Sequence, residues 1–140
     1  MTWTVLALGE VSQWLRSLDR DSYIRVSSAI EALRAQGPNL GTPYVKPIRS
    51  SRHKNMKELR VTYGSRHFRI LFAFDPKRQA IFLAAGDKSE VGWDEFYEKH
   101  VPIADDLFTA HVEEVKKQMD KEKKQSSKSN TAKEKSRKRK

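Results

Sequence analysis

The chain has 140 residues, a net charge of +10 and no cysteine. That length predicts one domain with a modest core. The missing cysteines exclude a disulfide framework and a thiolate metal site. The four histidines (His53, His67, His100, His111) form no metal-ligand spacing, and no stretch approaches the ~20 apolar residues of a membrane span. The N-terminus carries no basic segment followed by an apolar run. The reading is a soluble cytoplasmic protein with no membrane partner, metal or cofactor.

The charge is unevenly placed. Val115 to Lys140 holds twelve Lys/Arg against three Asp/Glu, so residues 1–114 carry only +1. Within that balanced body, Tyr44 to Phe72 holds eight Lys/Arg and one acid, Glu58. Asp87 to Glu114 holds nine acids and two lysines. One basic surface on a near-neutral body points to an anionic partner more specifically than the overall charge does.

Thr2 to Leu8 predicts a short apolar strand that Gly9 closes. Glu10 to Leu18 predicts a helix, since Val11, Trp14, Leu15 and Leu18 recur at helical spacing. Asp19 or Asp21 caps a second helix with the apolar face Tyr23, Val26, Ile30 and Leu33. Gly37-Pro38 stops it, because Gly takes the left-handed position and Pro cannot continue the turn. Gly37 to Pro47 reads as loop with an extended piece near Tyr44-Val45. Ile48 to Asn55 reads as a basic loop that offers Arg49, Arg52 and Lys54.

Met56 to Thr62 and His67 to Asp75 alternate apolar residues around Gly64-Ser65, which predicts a β-hairpin. Its register sets Val61 opposite Phe68 and Leu59 opposite Ile70 on the core face. On the other face it sets Arg60 opposite Arg69, a pair that costs stability unless the two guanidiniums share an anion. Glu58 lies on that face as well, whereas Lys57 alternates onto the core side. After the Asp75-Pro76-Lys77-Arg78 turn, Ala80 to Lys88 predicts a further strand, with Phe74 against Ile81, Phe72 against Leu83 and Ile70 against Ala85. The same register brings His67 opposite Lys88 on the arginine face, with Phe82 beside them. A β-bulge would break this parity.

Trp93 to His100 predicts a short helix, which Pro102 separates from a longer one over Ile103 to Met119. From Lys116 the chain has almost nothing apolar to offset its ordering entropy, which predicts disorder. The domain reading is therefore a folded unit over residues 1–115 and a basic tail over 116–140. Its clusters Ser126-Ser127-Lys128-Ser129 and Lys135 to Lys140 suit counterion release on RNA or mere solubility.

The elements run β-α-α-β-β-β followed by a helical part. Lys57-Glu58-Leu59-Arg60, then Arg66-His67-Phe68-Arg69-Ile70-Leu71-Phe72-Ala73-Phe74-Asp75, then the apolar strand ending Gly86-Asp87-Lys88 resemble the phage-derived Gp49-like, HigB branch of the RelE toxin superfamily. The loop Gly37 to Pro43 is also similar to that family's link between helical hairpin and sheet. The resemblance covers residues 3–115. It implies an α+β, RelE-like fold: a small antiparallel sheet packed against an N-terminal helical hairpin, with a C-terminal helix and a disordered tail. It also implies the toxin of a type II toxin–antitoxin pair, a ribosome-dependent mRNA endonuclease. Its partners would be mRNA, the ribosome and a helix-turn-helix antitoxin, with operator DNA reached only through the antitoxin complex. The implied active surface is the sheet face turned away from the hairpin.

Metal-free RNA cleavage needs a base for the 2′-hydroxyl, cations for the phosphorane and an acid for the 5′-oxygen. Arg60 and Arg69 suit the phosphorane. For the base, three candidates stand open: Lys88, whose pKa two arginines would depress, His67 near neutrality, and Glu58. Arg49, Arg52, Lys54, Lys57 and Arg66 are candidate RNA contacts. A different class of reading keeps the fold without chemistry: a nucleic-acid-binding module or a gyrase-type binding poison of the same superfamily. In a plainer reading, Arg60 and Arg69 are solvated residues bridged by Glu58.

Overall fold

The computed structural model describes the backbone of residues 2–138 and the side chains of residues 2–125. Its elements are β1 (Thr4–Ala7), α1 (Val11–Ser17), α2 (Arg20–Gln36), β2 (Val45–Pro47), β3 (Lys57–Tyr63), β4 (Arg66–Phe74), β5 (Gln79–Asp87), α3 (Lys88–Val91) and α4 (Trp93–Lys138), with a 3₁₀ turn over Gly37–Asn39 after α2. The α+β class and the helical hairpin follow the sequence reading. The sheet order is β1-β5-β4-β3-β2. It is mixed rather than antiparallel, because β1 runs parallel to β5 while the other three pairs are antiparallel.

Local chemistry explains the boundaries. Asp19 caps α2, its carboxylate accepting from the Ser22 amide. Gly37 ends that helix at φ +56°, and a Cβ there would clash with the Trp3 indole, so only glycine fits. On α2, Val26 and Leu33 are buried as the periodicity predicts, but Tyr23 is half exposed and Ser22 takes an inward place beneath Asp19.

The sheet separates two apolar layers. Leu59, Val61, Phe68, Ile70, Phe72 and Phe82 pack against the hairpin through Val11, Val26 and Leu33. On the opposite face Met56, Leu71, Ala73, Ile81 and Leu83 pack against Val101, Ala104 and Phe108 of α4. The β3–β4 register matches the sequence reading residue for residue, with Arg60 opposite Arg69. The β4–β5 register matches as far as Ile70 opposite Ala85, then slips between Leu71 and Phe72. Beyond that bulge Phe72 faces Phe82 and Phe74 faces Ala80. The expected partners Ile81 and Leu83 are thereby turned to the α4 side, and Phe82 leaves the arginine face for the hairpin core.

Pro102 does not divide the C-terminal helix, which is one element through it. Pro102 itself is exposed, while Phe96, Val101, Ala104 and Phe108 on the inner side are buried. The backbone carbonyl left without its donor therefore faces water, and packing on both sides of the proline holds the axis. Past Val115, residues 116–125 are all exposed, and the backbone continues as helix to Lys138. The residues named in the tail reading from Ser126 onward lie outside the described side chains. Among the described residues, no helix is long and apolar enough to cross a membrane.

Candidate active site

Strand parity alone brings Glu58, Arg60 and Arg69 to one face, because the slip in β5 lies beyond them. Lys88 joins them from the first residue of α3, just past the end of β5. The side chains converge on the Glu58 carboxylate. Arg60 Nε lies 3.7 Å from Glu58 Oε1, and Arg69 Nε lies 4.0 Å from Oε2. Both Nε atoms are buried and lack a hydrogen-bond partner among the described residues. Arg69 keeps one backbone bond, from Nη1 to the Phe68 carbonyl at 2.8 Å.

Tyr97, on the second turn of α4, ties the group together. Its hydroxyl donates to Glu58 Oε2 at 2.6 Å and accepts from Lys88 Nζ at 2.9 Å. Lys88 Nζ also lies 4.0 Å from the Trp93 ring centroid and 4.6 Å from that of Tyr97. Trp93 is half exposed, and its ring sits 5.5 Å from that of His67 at the mouth of the cluster. Neither aromatic stands out by composition, yet Trp93 and Tyr97 are four residues apart and so share one helix face, a signal the sequence carries.

The expected open face is covered. The first turns of α4 close over Arg69, which is 1% exposed, and over Glu58 and Lys88, which are buried. Arg60 remains partly accessible, at 24% of its side chain. Burial and the positive field of Arg69 push the Lys88 ammonium below the ordinary lysine pKa, against the pull of Glu58. Burial first, then the hydrogen bond to Glu58, push the Tyr97 hydroxyl up to about 12, so it stays a proton donor at neutral pH.

The remaining candidates spread around the molecule. His67 flanks the cluster, and its amide donates to Asp87 Oδ1 at 3.0 Å. Arg66 turns to the hairpin side, where it pairs with Asp19 and donates to Ser22 Oγ. Lys57 lies over the Phe74 ring, also on the hairpin side. Arg52 reaches α4, donating to Asp106 Oδ1 at 2.7 Å and to Thr109 Oγ1. Arg49 and Lys54 are exposed on the same loop. That loop is fixed by Asp105, a buried α4 acid that accepts from Ser51 Oγ and from the Arg52 amide. No group of three or more His, Cys, Asp or Glu side chains among the described residues is placed to hold a metal ion.

Among the described residues the geometry is thus three cations around one buried carboxylate, with the Nε atoms of two of them short of acceptors. A model of the family described as Phage derived protein Gp49-like (DUF891) matches residues 13–109. The chain belongs to this family. Two relatives come from Mycobacterium tuberculosis. One, named "Putative toxin HigB2", is 50% identical over 111 residues, covering 79% of this chain and 54% of its own length. The other, "Putative toxin HigB3", is 46% identical over 101 residues, covering 72% of this chain and 86% of its own. This chain therefore spans about half of the first relative and most of the second. The Gp49-like match begins inside α1 and ends within α4. All the residues around Glu58 fall inside the matched span, and the basic stretch from Lys116 falls outside it.

Proposed function

We propose that this chain is the toxin of a toxin–antitoxin pair and that it cleaves mRNA on the ribosome at the Glu58 cluster. The observation that carries the reading is the imbalance there: Arg60, Arg69 and Lys88 around the one buried carboxylate of Glu58, with exposed Asp94 acting only on Lys88 and two guanidinium Nε atoms unsatisfied among the described residues. Buried polar groups are normally paired, so such a site is short of an anion, and a phosphodiester supplies one. The naming of both relatives as toxins supports the same reading.

In this proposal the scissile phosphate enters beside Arg60, the accessible guanidinium, and its developing charge is shared with Arg69. A positioned donor of this kind lowers the barrier by ~3 kcal/mol, by analogy with an oxyanion-hole donor. Glu58 takes the proton of the 2′-hydroxyl, which attacks the adjacent phosphorus as the bond to the 5′-oxygen breaks. Lys88, with its depressed pKa, is the nearest group to protonate that leaving oxygen, and His67 stands as the second. Tyr97 orients Glu58, and Trp93 offers a face on which a base can stack. Because α4 covers Arg69, its first turns move for a phosphate to reach the deeper guanidinium. Gly92, at φ +88° just before α4, is the place where the chain can turn.

The partner that silences such a toxin would be an antitoxin, here proposed to be of the helix-turn-helix kind, docking so that α4 stays closed. A binding poison of the same superfamily is the second reading, favoured by the burial of Arg69. Inducing the wild-type chain and mapping 5′ ends on cellular mRNA separates the two. New cuts within translated frames support the nuclease, and growth arrest without cuts supports the poison.

A further inference from the structure

The proposed site leaves the molecule's largest charge imbalance unused. Nine of the ten net positive charges lie on residues 115–140, beyond the family match. Residues 115–138 continue α4, whose first turns cover the Glu58 cluster. From Lys116 to Gln125 every side chain is exposed. Among the described residues this stretch forms no ion pair with the body, and its one noted tie is a hydrogen bond from Lys77 Nζ to Gln118 Oε1. The acids between Asp87 and Glu114 therefore do not neutralise it there.

We propose that residues 116–140 are an RNA-binding arm that supplies most of the chain's affinity for the RNA backbone, apart from the site that would cut it. The proposal rests on the preceding one only in naming RNA as the polyanion. The composition fits a phosphate backbone rather than a lipid surface. A membrane-lying helix needs a stripe of Trp, Phe or Leu, whereas this stretch offers Met119 and Ala132 among Lys, Ser, Glu and Gln. Its charges follow one another along the chain instead of alternating with an apolar face. At 1.5 Å per residue the arm begins ~29 Å along the helix from Tyr97, so it would hold RNA remote from the bond being cut. Contacts of that kind position without reading sequence.

The test uses the full chain and a variant in which every Lys and Arg from Lys116 to Lys140 is replaced by Gln. The probe is a fluorescent 20-nucleotide oligouridine with 2′-O-methyl groups, which cannot be cleaved. Binding is followed against salt, with the melting temperature checked for both proteins. Wild type should bind with a log–log slope of about −0.7 per phosphate engaged, and the variant should lose at least tenfold in affinity at 0.1 M salt together with most of that slope. A control carrying Arg16→Gln and Arg20→Gln, two exposed cations of the helical hairpin outside the proposed site, should leave both unchanged within twofold; because the probe cannot be cleaved, failure of the nuclease reading would not disturb this one. Equal affinity and slope in wild type and variant would overturn the arm. Tighter capture of duplex DNA, or binding to phosphatidylserine vesicles, would overturn its assignment to RNA.

Discussion

Arg60 and Arg69 are direct cross-strand partners, and the Glu58 carboxylate lies between their two Nε atoms, within 4.0 Å of each. Glu58 offsets one of the two charges and leaves the pair cationic. With Lys88 beside it, the cluster sets three cations against one buried carboxylate, the imbalance on which the proposed anion site rests.

Removing Arg69 strands a buried carboxylate beside a tyrosine. Arg69→Met should lower stability by about 3 kcal/mol, and the Arg69→Met/Glu58→Leu double variant should lose much less than the sum of the single changes. Urea unfolding of the three variants checks this. Additive losses would mean that the two side chains do not act as a pair.

Tyr97→Phe removes the hydroxyl that bridges Glu58 and Lys88. The expected loss is about 1 kcal/mol, read from the urea midpoint. The Tyr97 pKa is raised in the folded state to about 12. Its contribution is therefore fully present below the ordinary tyrosine value near pH 10 and is lost as pH climbs toward 12. Absorbance at alkaline pH should show one of the four tyrosines ionising late in wild type and no such step in Tyr97→Phe.

Asp75 organises the turn between β4 and β5, accepting from the Lys77 and Gln79 amides, from the Gln79 side chain and, at 2.8 Å, from His111. Burial opposes its charge, yet these hydrogen bonds, led by His111, hold its pKa below the ordinary carboxylate value. Its contribution is present above about pH 4 and fades as pH falls through the folded pKa. The stability gap between wild type and Asp75→Asn at pH 7 should accordingly shrink by pH 2–3. A gap that stays constant would contradict this role.

Asp105→Ala should free the basic loop from α4 by leaving the Ser51 hydroxyl and the Arg52 amide without their acceptor. Hydrogen exchange at residues 51–55 should speed up at least tenfold while β4 and β5 stay protected. Equal exchange in both proteins would show that Asp105 does not hold the loop.

The hairpin, its register and the convergence of Glu58, Arg60 and Arg69 were legible in the sequence, because Gly64 fixes the turn and strand parity does the rest. The bulge at Leu83 was not, since apolar residues on both sides of β5 leave no mark of which one is extra. That hid the true face of Phe82. The unbroken course of α4 was hidden too. A proline predicts a stop from local sterics, and only tertiary packing of Val101 and Ala104 outweighs it. The shielding of Arg69 by Tyr97 is a contact between residues far apart in the chain, to which periodicity alone gives no distance. The spacing of Trp93 and Tyr97 could have suggested a shared face, though not what that face would cover.

The most direct measurement is the chemistry of the cut. Translating ribosomes would be given a message that is either all-RNA or carries a single 2′-deoxy nucleotide at the cleaved position, with wild-type or Arg60→Ala protein. The expected result is 2′,3′-cyclic phosphate and 5′-hydroxyl ends from wild type on RNA, no cut at the deoxy position, and at least a hundredfold slower cleavage by Arg60→Ala at an unchanged melting temperature. Cleavage of the deoxy message, or full activity of Arg60→Ala, would contradict it.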